Sequence, residues 1–496
     1  MRFGPLAGRY PALATMVIAA LVPYLMLSSA LQPLTPIIAR QLHMSLQTIS
    51  LGAGLANAGY AAGTVIAVAV AMHLPQRRML VVYAALLVIG SLLAAAAQDP
   101  AMFIAGHVLQ GLCTSLMLIA AAPPLVLGFG SARFRETAVI MNLCIFGAVA
   151  LGPTVGGIQA QSDAWRPLFY IVAAIAFVAF VLTILTFEDA PPADRSAPWD
   201  PAAISLAVAG PVAAFYGASE LLTHRFVDAS TLGLLVVGLA LIVFLIVYEY
   251  RAKHPLLTIR TMFQSTIPVA GIVVALFAAA ASVSATALTA VLLSEHYGPL
   301  HVGLLYLPEL GGAILTAFAL GAVIRKRAIH YLPLVGMVFL AAGILTFRIE
   351  LPPSQALALI GSGLTGIGLG ATVAPALFVA GLSLAAANFQ RLFAIIELMR
   401  AVAAFMIAPI FVHFAATVGG SPKAGTGIAL WIGFALSVTG AVIAVLLYAL
   451  GGARAQTPKL EPFLAGEAPA WYSPPLLAAI RRRRVAPAVG EDPARQ

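Results

Sequence analysis

The sequence predicts an all-α polytopic membrane protein of fourteen spanning helices, grouped six, two and six. Three observations predict it. The 496 residues are 61% hydrophobic and only 9% charged, whereas about a quarter of the residues in soluble domains are charged. Runs of ~20 apolar residues recur, the length a helix rising ~1.5 Å per residue needs to cross ~30 Å of hydrocarbon. The cations gather in alternate loops, as they do in membrane proteins of fixed orientation. The runs from Leu168 to Phe187, Thr231 to Tyr248 and Ile267 to Ser294 carry no charge at all. They are apolar all round, unlike the alternating ~10-residue strands of a membrane barrel.

Along the chain, the first six helices fall near 11–33, 48–72, 79–97, 102–128, 137–160 and 166–187. The first has no small-residue cleavage site and is continued by further spans, so it reads as a retained helix rather than a signal peptide. A loop rich in Pro, Asp and Glu, from Glu188 to Pro201, then separates this bundle (1–187) from the rest, as a hinge does. Two additional helices follow near 201–222 and 229–249, and after them a cationic segment from Arg251 to Arg260 suited to the membrane surface. Linker, helix pair and cationic segment together occupy 188–266. The last six helices, near 267–293, 301–324, 331–348, 354–380, 392–417 and 427–450, form a second bundle over 267–450.

Placing the N-terminus inside puts fourteen cations in inside loops: Arg2, Arg9, Arg77, Arg78, Arg133, Arg135, Arg195, Arg251, Lys253, Arg260, Arg325, Lys326, Arg327 and Arg391. The outside loops hold five: Arg40, Arg166, Arg225, Arg348 and Lys423. This bias sets both termini in the cytoplasm. It also accounts for the net charge of +9 through anionic headgroups, without nucleic acid. The tail, 451–496, carries Arg481 to Arg484 after an apolar patch from Trp471 to Ile480, and reads as a disordered, lipid-contacting anchor. Cys113 and Cys144 both fall in helices and read as free thiols.

The fifth helix contains Gly147-Ala-Val-Ala-Leu-Gly152-Pro153-Thr-Val-Gly156-Gly157. Closely spaced glycines let helices approach, and Pro153 removes a backbone hydrogen bond. This run resembles the antiporter motif of drug exporters, and Trp165-Arg166-Pro-Leu-Phe169 follows at the spacing of that family's element before its sixth helix. Gly303 to Pro308, the glycine-rich run Gly361 to Gly370 and Arg400 extend the likeness over nearly the whole chain. The chain thus resembles the fourteen-helix drug:proton antiporters of the major facilitator superfamily. The resemblance implies two six-helix bundles rocking around a midplane cavity, with export of an amphiphilic small molecule against protons.

Departures fall on the family's gating and coupling residues. The loop after the second helix reads Ala69 to Arg78 without the family's aspartate and first arginine, and His107 precedes Gln110-Gly111 where the family has arginine. Tyr24 to Pro36 lacks the usual aspartate of the first helix.

Charge inside the membrane marks function because burying an ion costs at least ~2.5 kcal/mol. Glu309 lies ~12 Å below the predicted outer end of its helix, where it is either a proton-carrying carboxylate or a structural acid satisfied by a neighbouring helix or by the backbone opened at Pro308. His107 is either a proton relay or a hydrogen-bonded packing residue. Glu397 and Arg400, three apart, share a helix face and can pair. That pair reads either as a structural ion pair near the cytoplasmic end or as an anion-recognising or gating arginine. Gln32, Asn57, Tyr60, Gln110, Asn142 and Tyr216 are candidates to line the cavity, though interhelical hydrogen bonds use the same residue types.

No Gly-x4-Gly-Lys-Ser/Thr phosphate cradle, metal-ligand cluster or nucleophile elbow occurs. The reading is therefore a gradient-driven transporter, not an enzyme, without metal or cofactor, in a bacterial inner membrane. Its partners are a small-molecule substrate, protons and the lipid bilayer; accessory export proteins are left unspecified. The alternatives are an exporter or uniporter with diverged coupling, and a non-transporting membrane scaffold or receptor.

Overall fold

A computed structural model describes residues 4–187, 192 and 198–478. Arg2, Arg195, Arg481 to Arg484 and most of the Glu188–Pro201 loop lie outside the described residues. Among the described residues there are fourteen helices long and apolar enough to cross a membrane, and no strands. They are α1 (Tyr10–Gln41), α2 (Leu46–His73), α3 (Gln76–Ala95), α4 (Pro100–Leu127), α5 (Gly130–Gln161), α6 (Arg166–Thr186) and α7 (Pro201–Leu222). The second seven are α8 (Ala229–Arg251), α9 (Thr266–Ser294), α10 (Pro299–Val323), α11 (Leu332–Ile349), α12 (Gln355–Leu382), α13 (Ala386–Thr417) and α14 (Pro422–Gly451). An even number of crossings returns the chain to the face where it began, here the terminal face.

The largest boundary error is in α1, expected to stop at 33 but running to Gln41 with Pro23, Pro33 and Pro36 inside it. Proline ends helices in water, yet in a packed membrane bundle neighbouring side chains satisfy the carbonyls it frees. The structure shows that device in α5. Pro153 has no N–H for the carbonyl of Val149, and the Ser29 hydroxyl of α1 donates to that oxygen at 2.7 Å. A π-helical turn, Leu143–Gly147, sits just before.

Helices α1 to α6 pack chiefly on one another, as do α9 to α14. The pair α7–α8 leans on α2. Two seams join the halves, α5 against α10 and α2 against α13. The segment after α8 keeps Arg251, Lys253 and Arg260 exposed and buries Leu256, Leu257 and Ile259. The fully buried Glu249 anchors it, accepting from the Leu257 N–H at 2.9 Å.

The expected free anchor is corrected over its described part. From Ala453 to Ala478 the chain docks as a strap beneath both halves. The first N–H groups of α9 lack intrahelical partners. The strap supplies them: Thr266 N–H donates to the Pro474 carbonyl at 2.9 Å, and Ile267 N–H to the Ser473 hydroxyl at 3.0 Å. Ala470 N–H donates to the Leu382 carbonyl at 2.8 Å, Trp471 is buried, and a short helix, Leu460–Leu464, packs on α5. Apolar side chains finding a protein face outcompete lipid here, because the strap's backbone is hydrogen-bonded at the same time. Truncation after Gly452 is expected to lower the melting temperature by several degrees and to speed labelling of cysteines placed at Phe134 and Phe378, which scanning fluorimetry and maleimide kinetics read directly.

Candidate functional site

At mid-depth the α2–α13 seam holds a buried polar cluster. The i, i+3 spacing brings Arg400 and Glu397 onto one face of α13. The Arg400 guanidinium donates to Glu397 Oε2 from Nη2 at 2.7 Å and from Nε at 3.0 Å. From the other half, the Tyr60 hydroxyl of α2 donates to the same oxygen at 3.2 Å and accepts from Arg400 Nη2 at 3.4 Å. Glu397 is fully buried, Arg400 is 5% exposed, and Glu397 Oε1 has no hydrogen-bond partner. The Tyr24 ring of α1 stacks 6.2 Å from Tyr60, and its hydroxyl donates to Asn57 Oδ1 at 3.4 Å. Phe405 stands edge-on to Tyr60, and the guanidinium lies 6.0 Å from both rings.

The expected position of this pair, near the end of its helix, is corrected. Arg400 lies about eleven residues into the continuous α-helix from Phe389, or ~17 Å along the axis. Tyr60 sits equally deep in α2. A charge pair at that depth survives only with good geometry and extra hydrogen bonds, and the extra bond comes from the opposite half of the molecule.

Glu309 lies about ten residues beyond Pro299, ~15 Å along α10. Leu304, Leu307, Ile314, Leu315 and Phe318 are exposed on the opposite face, so Glu309, 5% exposed, points inward. The helix breaks between Leu305 and Leu307, ahead of Pro308. Two carbonyls at the break take hydroxyls: Ser362 donates to Leu305 O at 2.9 Å, and Thr154 to Gly303 O, which also accepts the Tyr306 N–H, at 2.8 Å. Neither carbonyl is bonded by the Glu309 side chain. No described hydrogen bond reaches the Glu309 carboxyl, while Tyr306, one turn back, bonds Thr289 of α9 at 2.5 Å.

The glycine-rich motif of α5 faces two ways. Gly152 and Gly156 lie against α1, where an added Cβ meets Ser29, Met26 and Ala30 atoms below 3 Å. Gly157 and the Pro153 carbonyl face α10: a Cβ on Gly157 falls 2.6 Å from Pro299 O, and one on Gly303 falls 2.5 Å from Pro153 O. Gly147 is looser, with Leu310 of α10 at 3.7 Å. The far end of the α5–α10 seam is therefore backbone on backbone. At the terminal face the halves also touch, through the Phe134 and Phe378 rings and the Gln390 amide on the Ile119 carbonyl.

The remaining candidates separate. Asn142 crosses the seam, donating to the Gly370 carbonyl at 3.0 Å with its own Oδ1 unpartnered. Gln110 stays within the first half, between His107 Nδ1 and the Ser91 hydroxyl. His107, 2% exposed, stacks on Phe103 and lies among Tyr24 and Phe169. That cage favours the packing reading. His107→Gln is accordingly expected to transport with an unchanged pH profile, measured as initial rates from pH 6 to 8. Gln32 is exposed on a face of α1 that it shares with the half-buried Ser28 and Thr35. Tyr216, 39% exposed, shares an open stripe with Ser205 and Ala209 and joins neither seam. Tyr24 gives no signal in the sequence, because an aromatic in a hydrophobic helix reads as packing. Ser29, Thr154 and Ser362 were traceable only as hydroxyls opposite prolines.

A model of the major facilitator superfamily matches residues 16–322. An uncharacterized MFS-type transporter, YubD, of Bacillus subtilis is 30% identical over 195 residues, 38% of this chain and 37% of that one. The multidrug resistance protein B homolog of Mycobacterium tuberculosis is 25% identical over 58% of this chain and 54% of its own length. The drug efflux pump JefA of the same species is 23% identical over 64% of each. The chain spans less than two thirds of each of these relatives. A crystal structure of a mutant of the peptide transporter POT superposes with a TM-score of 0.60 at 16% identity, covering 90% of this chain and 97% of that one.

Proposed function

The chain belongs to the major facilitator superfamily, and on that premise we propose that it is a secondary transporter exporting an amphiphilic small molecule across a bacterial inner membrane in exchange for protons. The observation that carries this reading is the Tyr60–Glu397–Arg400 cluster, a charged site at mid-depth between two helical halves. A midplane site between rocking halves is the position from which both faces are reached in turn.

In this reading the terminal face, rich in Arg and Lys, is cytoplasmic. Glu397 is the coupling carboxylate of the seam. As the anion it holds Arg400 and Tyr60, tying α13 to α2. A proton arriving from outside converts the carboxylate to a carboxylic acid, the charge-assisted bonds weaken to neutral ones, and the halves are released. Loss of that proton to the cytoplasm restores the tie. Glu309 is the second carrier, since among the described residues no hydrogen-bond or ion-pair partner holds its carboxyl. Gln32, Asn57 and Asn142 offer uncharged hydrogen bonds to a substrate among apolar walls, which suits amphiphiles. Relatives described as drug efflux pump and multidrug resistance protein lend the direction.

Proteoliposomes with an imposed pH gradient and ethidium as probe test the reading. Proton-linked flux supports it. Flux indifferent to the gradient favours an exporter or uniporter with diverged coupling, for which the missing acid of α1 and His107 speak. No flux with any amphiphile favours a scaffold or receptor. Glu309→Gln is expected to cut gradient-driven efflux to a small fraction while substrate binding, read by fluorescence quenching, is retained.

A further inference from the structure

The second half holds a cavity of about 450 Å³ at the terminal face, where α9, α11, α12 and α14 meet. Its walls are apolar, with Val274, Leu334, Val379 and Val445. Its mouth carries Arg327 and Arg454, both exposed and neither in an ion pair among the described residues. His330 stands at the same rim, its Nδ1 bonded to the Tyr448 hydroxyl at 3.1 Å. Burial pushes His330 down to about 4, with the Gln456 backbone only partly opposing. His330 is therefore neutral at cellular pH, and the two arginines alone supply the charge. The strap completes the cavity: Ala453 to Ala455 line it, and Trp471 packs 4.5 Å from His330.

We propose that this crevice binds an anionic amphiphile, with a phosphate-type head between Arg327 and Arg454 and an alkyl chain along the Val274–Leu334–Val379 wall. Guanidinium groups present planar pairs of N–H donors that match phosphate oxygens. The apolar interior has no role for a free anion, and the two unpaired cations have none for a neutral hydrocarbon. The volume is that of a small-molecule site, so a two-chain lipid seats one chain and leaves the other in the bilayer. The mouth lies on the face where juxtamembrane cations meet anionic headgroups. Two sources share this chemistry, a bilayer phospholipid and a soluble single-chain amphiphile. None of the cavity residues belongs to the Tyr60–Glu397–Arg400 cluster or the α5–α10 seam, so the inference does not depend on proton exchange.

Full-length protein in neutral detergent is titrated with dioleoylphosphatidylglycerol, dioleoylphosphatidylcholine, dodecyl phosphate and inorganic phosphate, with binding read by thermal shift and native mass spectrometry. Saturable binding of phosphatidylglycerol or dodecyl phosphate, with neither phosphatidylcholine nor inorganic phosphate bound, is expected; phosphatidylglycerol alone assigns the bilayer source and dodecyl phosphate alone the soluble one. The exposed pair Arg327→Gln with Arg454→Gln is expected to weaken that binding roughly tenfold or more. Val445→Trp, at the half-exposed lip, is expected to do the same by filling the cavity. Equal binding of phosphatidylcholine, equal binding of inorganic phosphate, or undiminished binding by the double variant overturns the proposal.

Discussion

Arg400→Ala is expected to destabilise the protein by about 3–5 kcal/mol and to abolish gradient-driven transport. The removed guanidinium leaves Glu397, which is fully buried and already has one oxygen unpartnered, with only the Tyr60 hydroxyl. A carboxylate so placed either ionises at great cost or takes a proton permanently, and a permanently protonated acid cannot cycle. The paired replacement Glu397→Gln with Arg400→Met separates the two consequences. Exchanging both members of a buried ion pair for uncharged groups of similar volume is often close to neutral for stability, so folding is expected to recover while proton-linked flux stays lost. Tyr60→Phe removes only the hydroxyl that crosses the seam, and is expected to lower the melting temperature by less than Arg400→Ala does while slowing transport. Thermal melts in detergent and flux in proteoliposomes, measured on the same preparations, decide the matter. Wild-type flux from Arg400→Ala sinks the assignment of this cluster as the coupling site.

Gly303→Leu is expected to prevent closure of the face opposite the termini. Its Cβ falls 2.5 Å from the Pro153 carbonyl and 2.9 Å from Thr154 Cα, atoms of a helix backbone that cannot rotate away. Overpacking costs about 1–3 kcal/mol, which lowers the closed population roughly five- to 150-fold. Cysteines introduced across the seam near Gly157 and Pro299 are expected to label faster in the variant, with transport reduced in proportion. Gly311→Leu is the control. Gly311 lies on the same helix with open space around it, so labelling and flux are expected to match wild type. If Gly303→Leu transports normally, the α5–α10 seam does not have to close in the cycle.

Much of the architecture was legible because lipid imposes a one-dimensional requirement. A span needs ~20 apolar residues whatever its neighbours, so charge-free runs such as Thr231 to Tyr248 located helices without any knowledge of packing. Boundaries failed where packing rescued a rule that holds in water, as at Pro33 and Pro36 in α1. The strap failed for a related reason: Trp471 in a proline-flanked tail reads as a lipid contact until α9 and α12 hydrogen-bond its neighbours Ala470, Ser473 and Pro474.

The site was legible as a set of residues and not as an arrangement. Glu309, Glu397, Arg400 and Tyr60 stood out because polar groups in hydrocarbon are costly. That Tyr60 bonds Glu397 across 337 positions of sequence, while Gln110 turns to His107 three residues away, depends on how each helix is rotated about its axis. The sequence by itself determined how many times the chain crosses the membrane, where its cations collect and which side chains are expensive to bury, because each follows from transfer between water and lipid. Only the tertiary structure decided which costly groups meet, which glycines are closed by a facing backbone and where the strap docks, because those follow from helix rotation and contacts between segments far apart in the chain.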